Sequence, residues 1–214
     1  MIKPHEIQSR SFEIIRNGIG EHPFSEQELS LVIRMVHTTG DYEYAENARF
    51  HPDAIQCGID AIRAGRPIVS DTRMAQAGMT KARAEGCEVQ CFVHDEDVVD
   101  EAKKLGVTRS IIAIRKAASI RPLGIVAIGN APTALMEAIR LIREGQLSPE
   151  LIVGVPVGFV SAAESKELLI ASDLRVPYIT SLGNKGGSAV AAAIINGLAV
   201  LTDRDEVKKI HCGN

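Results

Sequence analysis

Leu123-Gly124-Ile125-Val126-Ala127-Ile128-Gly129-Asn130-Ala131-Pro132-Thr133 decides the fold. A short apolar run is followed by a small polar loop, and then by a helical pattern near residues 132–144. A run of this length ahead of an amphipathic segment reads as a strand feeding a crossover helix. Asn130 suits an N-cap and Pro132 the first helical turn, so the loop is expected to point free backbone N–H groups into a crevice.

The same rhythm extends in both directions. Apolar runs at 67–70, 88–93, 123–128, 150–155 and 177–180 alternate with helical patterns near 72–84, 95–119 (long enough for two helices), 132–144, 162–172 and 186–200. Strands alternating with helices predict βαβ crossovers and a mostly parallel five-stranded sheet flanked by helices. Upstream lie helical patterns at 3–18, 25–39 and 53–64, with a polar, aromatic-bearing stretch from 41 to 50. The 214 residues suit one α/β domain, with a helical part over 1–64 and an alternating part over 65–201.

The second helix carries the sharpest local signals. Ser25 and Glu28 have capping-box spacing, and Phe24 and Leu29 that of a hydrophobic staple. Leu29, Val32, Ile33 and Val36 form one apolar stripe, and Gly40 is a natural stop. Arg34 and His37 lie three apart, so their side chains can reach the same point. In the last turn, His37 meets the negative end of the macrodipole and is placed to hold and donate a proton. A cation beside a proton donor suits an anionic substrate that must be protonated, while the same spacing also fits a surface histidine beside a solvated arginine.

Composition narrows the function classes. A net charge of −3 without basic blocks argues against nucleic acid as partner. The absence of a long apolar run or a signal-like start predicts a cytoplasmic protein with no membrane partner. Cys57, Cys87, Cys91 and Cys212 form no CxxC pair and read as free thiols, with Cys87 and Cys91 on one side of a strand. The histidines at 5, 22, 37, 51, 94 and 211 have no ligand spacing, so neither a metal nor another cofactor is expected.

In such a sheet, ligands bind beyond the carboxyl ends of the strands. Asp71 or Thr72, within Ser70-Asp71-Thr72-Arg73-Met74, can cap the next helix. Ser181-Leu182-Gly183-Asn184-Lys185-Gly186-Gly187-Ser188 reads either as turn chemistry or as a cradle for a phosphate or carboxylate. Its glycines match neither nucleotide fingerprint. Thr108-Arg109-Ser110 opens a helix and reads either as a plain N-terminus with a surface arginine or as a guanidinium and a hydroxyl offered to a carboxylate. Ser11 lies on the first helix, and Ser161 with Glu164 has capping-box spacing. No G-x-S-x-G is present, so a hydrolase lacks support.

The ordered set of segments resembles the precorrin-8X methylmutase family, called cobalt-precorrin-8 methylmutase in the anaerobic route. The matching pieces are Arg10-Ser11-Phe12, residues 34–45, Ser70-Asp71-Thr72 with Met74 and Gly78, Thr108-Arg109-Ser110 and residues 129–135. Pro156-Val157-Gly158-Phe159-Val160, Ala163-Glu164-Ser165-Lys166 and Lys185-Gly186-Gly187-Ser188-Ala189-Val190 complete it. Leu182 and Asn184 stand where family members often carry basic residues. The resemblance implies migration of a methyl group from C-11 to C-12 of a corrin ring, giving hydrogenobyrinate or cobyrinate in cobalamin biosynthesis. It implies His37 as the acid–base residue and Ser11 and Arg34 as substrate contacts. Arg109, Ser110, Asn130, Lys185 and Gly186 would surround the ring's carboxylates. It also implies a homodimer and product hand-off to the next pathway enzyme. Two alternatives stay open: a non-catalytic corrinoid carrier, and a nucleotide-binding α/β enzyme resting on the glycine loop.

Overall fold

The computed structural model describes residues 4–203, with side chains from residue 6 onward. The side chain of His5, and all of His211 and Cys212, lie outside the described residues. The helices are α1 (Pro4–Ile19), α2 (Glu26–Thr39), α3 (Glu43–Asn47), α4 (Ala54–Arg63), α5 (Arg73–Gly78), α6 (Thr80–Ala84), α7 (Glu96–Leu105), α8 (Arg109–Ala117), α9 (Pro132–Arg143), α10 (Ala162–Ala171) and α11 (Ser188–Val200). The strands are β1 (Ala48–Phe50), β2 (Ile68–Ser70), β3 (Val89–Gln90), β4 (Leu123–Ile128), β5 (Pro149–Gly154) and β6 (Tyr178–Ser181).

The six strands run in the order β1-β6-β5-β4-β2-β3. β2 to β6 are parallel to one another, as the βαβ pattern predicts. The additional strand is β1, which pairs antiparallel with β6 through Arg49↔Thr180. It lies in the polar stretch at 41–50 and in the part expected to be helical. Three residues carry no readable alternation, and pairing with β6 alone defines them. β3 is shorter than the run at 88–93, so Cys87 and Cys91 fall outside the strand. Cys57, Cys87 and Cys91 are free, and burial pushes each thiol's pKa up.

Alternate residues of each inner strand feed two cores, as pleating requires. Ile125 and Ala127 of β4 join Leu151 and Val153 of β5 beneath α4 and α11. Val126 and Ile128 face the other way, onto Leu135 and Ile139 of α9 and Leu169 of α10. The capping box at Ser25 forms, with the Glu28 carboxylate 2.8 Å from the Ser25 backbone N–H. Gly40 closes α2 at φ 68°, its N–H donating to the Val36 carbonyl at 2.7 Å. α2 also buries Leu31 and Met35 outside the expected stripe. It is wedged between α1 and α11, so a second face is covered. Gly197 of α11 permits this, because a Cβ there would strike Leu31 and crowd the Arg34 side chain.

Local expectations fail at two places before the site is reached. The pattern at 72–84 is two helices broken at Met79. Ser161 makes no capping bond to α10, because its backbone sits in the left-handed region at φ 61°. A capping side chain needs an extended backbone at its own residue, and Ser161 does not have one.

Candidate active site

The chain runs from β2 out to β3 and then returns to the opposite side of β2 as β4. The crevice of such a sheet opens at this reversal, past the ends of β2 and β4. Asp71, which follows β2, is 2% exposed. Its carboxylate accepts N–H bonds from Gly129 (3.0 Å), Asn130 (2.8 Å) and Ala131 (2.8 Å). Burial pushes its pKa up, against the pull of these donors. The N–H groups after β4 therefore serve the fold and are not free for a ligand. Asn130 is not the cap either: Ala131 holds that position, and no side chain caps α9.

A cleft of about 530 Å³ lies beside this knot, lined by Thr72, Arg73, His94, Arg109, Ser110 and Asn130 among others. The structure thus brings Arg109, Ser110 and Asn130 together from α8 and the β4 loop. Thr108 caps α8 and lies 3.1 Å from the Thr133 hydroxyl. Arg109 Nη1 donates toward His94 Nδ1 at 3.4 Å. A guanidinium has no acceptor, so this contact requires the His94 proton on Nε2. Two guanidinium groups, three hydroxyls and an amide equip the cleft for carboxylates.

A second group forms where α1 crosses the end of α2. Ser11 Oγ is 2.9 Å from His37 Nδ1, and His37 is exposed. The Phe12 ring meets the His37 imidazole edge-on at 5.2 Å between centroids. The Arg34 guanidinium lies over the same ring, 5.1 Å from its centroid. Arg34 and His37 therefore share Phe12. Arg34 also lines a groove of about 360 Å³ with Gln8, Lys81, Glu85 and Asp203, a groove whose lining does not include His37.

The glycine loop lies between the two groups. Ser188, where α11 begins, holds Thr72 on the cleft wall, hydroxyl to hydroxyl at 2.8 Å. Lys185 Nζ pairs with Asp41 at 2.5 Å and Glu43 at 2.7 Å, just after the helix end that carries His37. The ammonium lowers the Asp41 pKa, and the two carboxylates raise that of Lys185. Gly186 packs so closely on the Val155 carbonyl that no side chain fits.

Sequence reasoning singled out the segment from Ser70 to Met74 and read Asp71 or Thr72 as a helix cap: Thr72 is the cap, accepting from the Ala75 N–H at 3.1 Å, and Asp71 holds the loop after β4 instead. It passed over His94 as part of this region. His94 had a usable signal, its position just past β3. The role of Asp71 had none, because its partners lie about sixty residues away. Among the described residues, no three His, Cys, Asp or Glu side chains come close enough to share a metal ion, and no helix is long and apolar enough to cross a membrane.

Comparison with known proteins gives the geometry its context. A family model described as precorrin-8X methylmutase matches residues 6–201. The cobalt-precorrin-8 methylmutase of Priestia megaterium is 50% identical over 204 residues, covering 94% of this chain and 90% of that one. The precorrin-8X methylmutase of a Sinorhizobium species is 42% identical over 194 residues, covering 90% of this chain and 92% of the other. A crystal structure of precorrin-8X methylmutase from Thermus thermophilus superposes with a TM-score of 0.85 at 37% identity, covering 92% of this chain and 96% of that one.

Proposed function

The chain belongs to the precorrin-8X methylmutase family, and from that premise we propose how its residues carry out the methyl shift. The protein is a methylmutase, an isomerase of cobalamin biosynthesis. Its substrate is then precorrin-8X or cobalt-precorrin-8. The methyl group leaves C-11 as it bonds to C-12, and hydrogenobyrinate or cobyrinate results. A proton lent to the ring system is returned, so the product is an isomer and no outside methyl donor or oxidant enters.

The observation that carries the assignment is the 2.9 Å contact between Ser11 and His37 on an exposed surface. In the imidazolium, Nδ1–H donates to Ser11 Oγ, which leaves Nε2–H free to point outward. His37 then acts as the general acid toward the conjugated ring near the migrating methyl, and takes the proton back afterwards. Ser11 fixes the orientation of the His37 imidazole. Phe12 supplies an apolar edge for the flat macrocycle, and Arg34 on its face attracts a nearby acetate or propionate. The cleft around Arg109, Ser110 and Asn130 receives other carboxylates, with Lys185 and Gly186 between.

A corrin ring is wide relative to one subunit, and the loop after β5 exposes Phe159 (91%) and Val160 (83%) close to the glycine loop. Gly158 N–H donates to the Asn184 carbonyl at 3.1 Å, which joins the two loops. These features support a homodimer that covers the loop. Sedimentation of an active monomer at working concentration would end that part of the reading.

The central test follows the visible spectrum of His37→Ala mixed with precorrin-8X. Binding should persist while turnover falls by about 10²–10⁴-fold, the usual contribution of a general acid. Normal turnover by that variant rules out His37 as the acid. Band shifts without isomerisation by the unaltered protein would instead identify a carrier.

A further inference from the structure

Lys166, on α10, has no part in the chemistry above, yet it is among the largest side chains that are wholly buried, at 0% exposure. Its ammonium donates to the Lys185 backbone carbonyl at 2.7 Å. No carboxylate pairs with it among the described residues, and burial alone pulls its pKa down to about 8. An unpaired buried ammonium is costly, and an apolar side chain of the same length fills such a space without that cost. Stability therefore does not explain this lysine.

Its one hydrogen-bond partner among the described residues lies in the loop after β6. That loop holds Gly183 at φ 71° and Gly187 at φ 134°, and no side chain caps the helix that follows. Backbone preference does not give such a loop one shape. The bonds that fix it come from outside: its first half is held by Leu182 N–H to the Asn47 carbonyl at 2.8 Å and Gly158 N–H to the Asn184 carbonyl at 3.1 Å, its second half by three more. Gly187 N–H donates to the Val155 carbonyl at 2.9 Å, Ser181 Oγ to the Lys185 carbonyl at 3.3 Å, and Lys166 to that same carbonyl.

We propose that Lys166 is a positioning residue: its ammonium fixes the peptide that follows Lys185, so that the loop presents Lys185 and Gly186 to the corrin in a single shape. The inference rests on the reading that this loop meets the substrate. Loss of the bond leaves the acid at His37 intact and removes preorganisation, so the effect falls on KM more than on kcat.

The test compares Lys166→Met with the unaltered protein. Three quantities are read: thermal stability, steady-state kinetics with precorrin-8X, and amide hydrogen exchange at Gly186 and Gly187. Lys166→Met should melt no lower than wild type, raise KM about tenfold, as loss of one charge-assisted hydrogen bond would, and exchange faster at both glycines. Lys166→Gln keeps a neutral donor and should recover part of the affinity. Lys166→Leu serves if the Met chain does not fold. A folded Met or Leu variant with unchanged KM and unchanged exchange overturns the proposal. So does a KM loss matched by a lower melting temperature, or failure of both apolar variants to fold, because the lysine then serves stability. Lys185→Met separates the underlying reading. If that variant leaves KM unchanged, the loop does not meet the substrate, while exchange at Gly186 and Gly187 still decides what Lys166 does.

Discussion

The cleft past β2 and β4 and the Ser11–His37 pair are built by opposite means. The cleft rests on a buried carboxylate that ties three backbone N–H groups from a distant loop. The pair rests on one hydrogen bond and one ring edge at the surface, where two helices cross. The first is part of the fold and exists before substrate arrives. The second touches the core only through Phe12, and His37 itself stands exposed. The proposed binding groups are thus anchored by the forces that fold the chain, whereas the proposed acid stands outside them.

His37→Ala gives the largest expected effect and separates the two regions cleanly. It should remove about 10²–10⁴-fold of turnover yet shift unfolding free energy by less than about 0.5 kcal/mol, as exposed substitutions usually do. A urea midpoint well below wild type would break the contrast. Asp71→Ala should act the other way. It strands three N–H groups and is expected to cost about 3–5 kcal/mol of stability, with the cleft lost as a consequence. If urea unfolding finds this variant as stable as wild type, the cleft is not anchored as described.

Lys166 adds a test by pH. In the unfolded chain it holds its proton to about pH 10.5, and in the folded chain only to about 8. Between those values the unfolded state binds more protons, so raising the pH favours folding. Unfolding free energy should rise across this window by up to about 3 kcal/mol relative to Lys166→Met. Parallel pH profiles for the two proteins would show that the lysine is not penalised. Arg109→Ala should raise KM for precorrin-8X about tenfold with kcat nearly unchanged, which would sharpen the view of the cleft as a binding element. The smallest effect is expected from Ser11→Ala. Loss of one exposed orienting bond should lower kcat about three- to tenfold. A loss as great as that of His37→Ala would make Ser11 a direct participant.

Much of the fold was legible because its signals are local. Ser25 and Glu28 sit three residues apart, and Gly40 stops a helix whatever surrounds it. The apolar runs announce a parallel sheet without reference to one another. Ser161 shows the limit, since the same spacing with Glu164 failed once its backbone turned left-handed. β1 was unreadable because three residues become a strand only when β6 lies beside them. At the site, Ser11 and His37 were singled out from sequence, but their contact spans twenty-six residues and needed α1 to cross α2.

The sequence by itself determined the class of fold, the family, and the residue types available for acid chemistry and carboxylate binding, because periodicity, caps and ordered motifs are written along the chain. Only the tertiary structure decided that the N–H groups after β4 belong to Asp71, that Arg34 and His37 share Phe12, and that a buried lysine holds the glycine loop. Those are matters of which distant groups meet, and the cost of burying a polar group is settled by the partner it finds there.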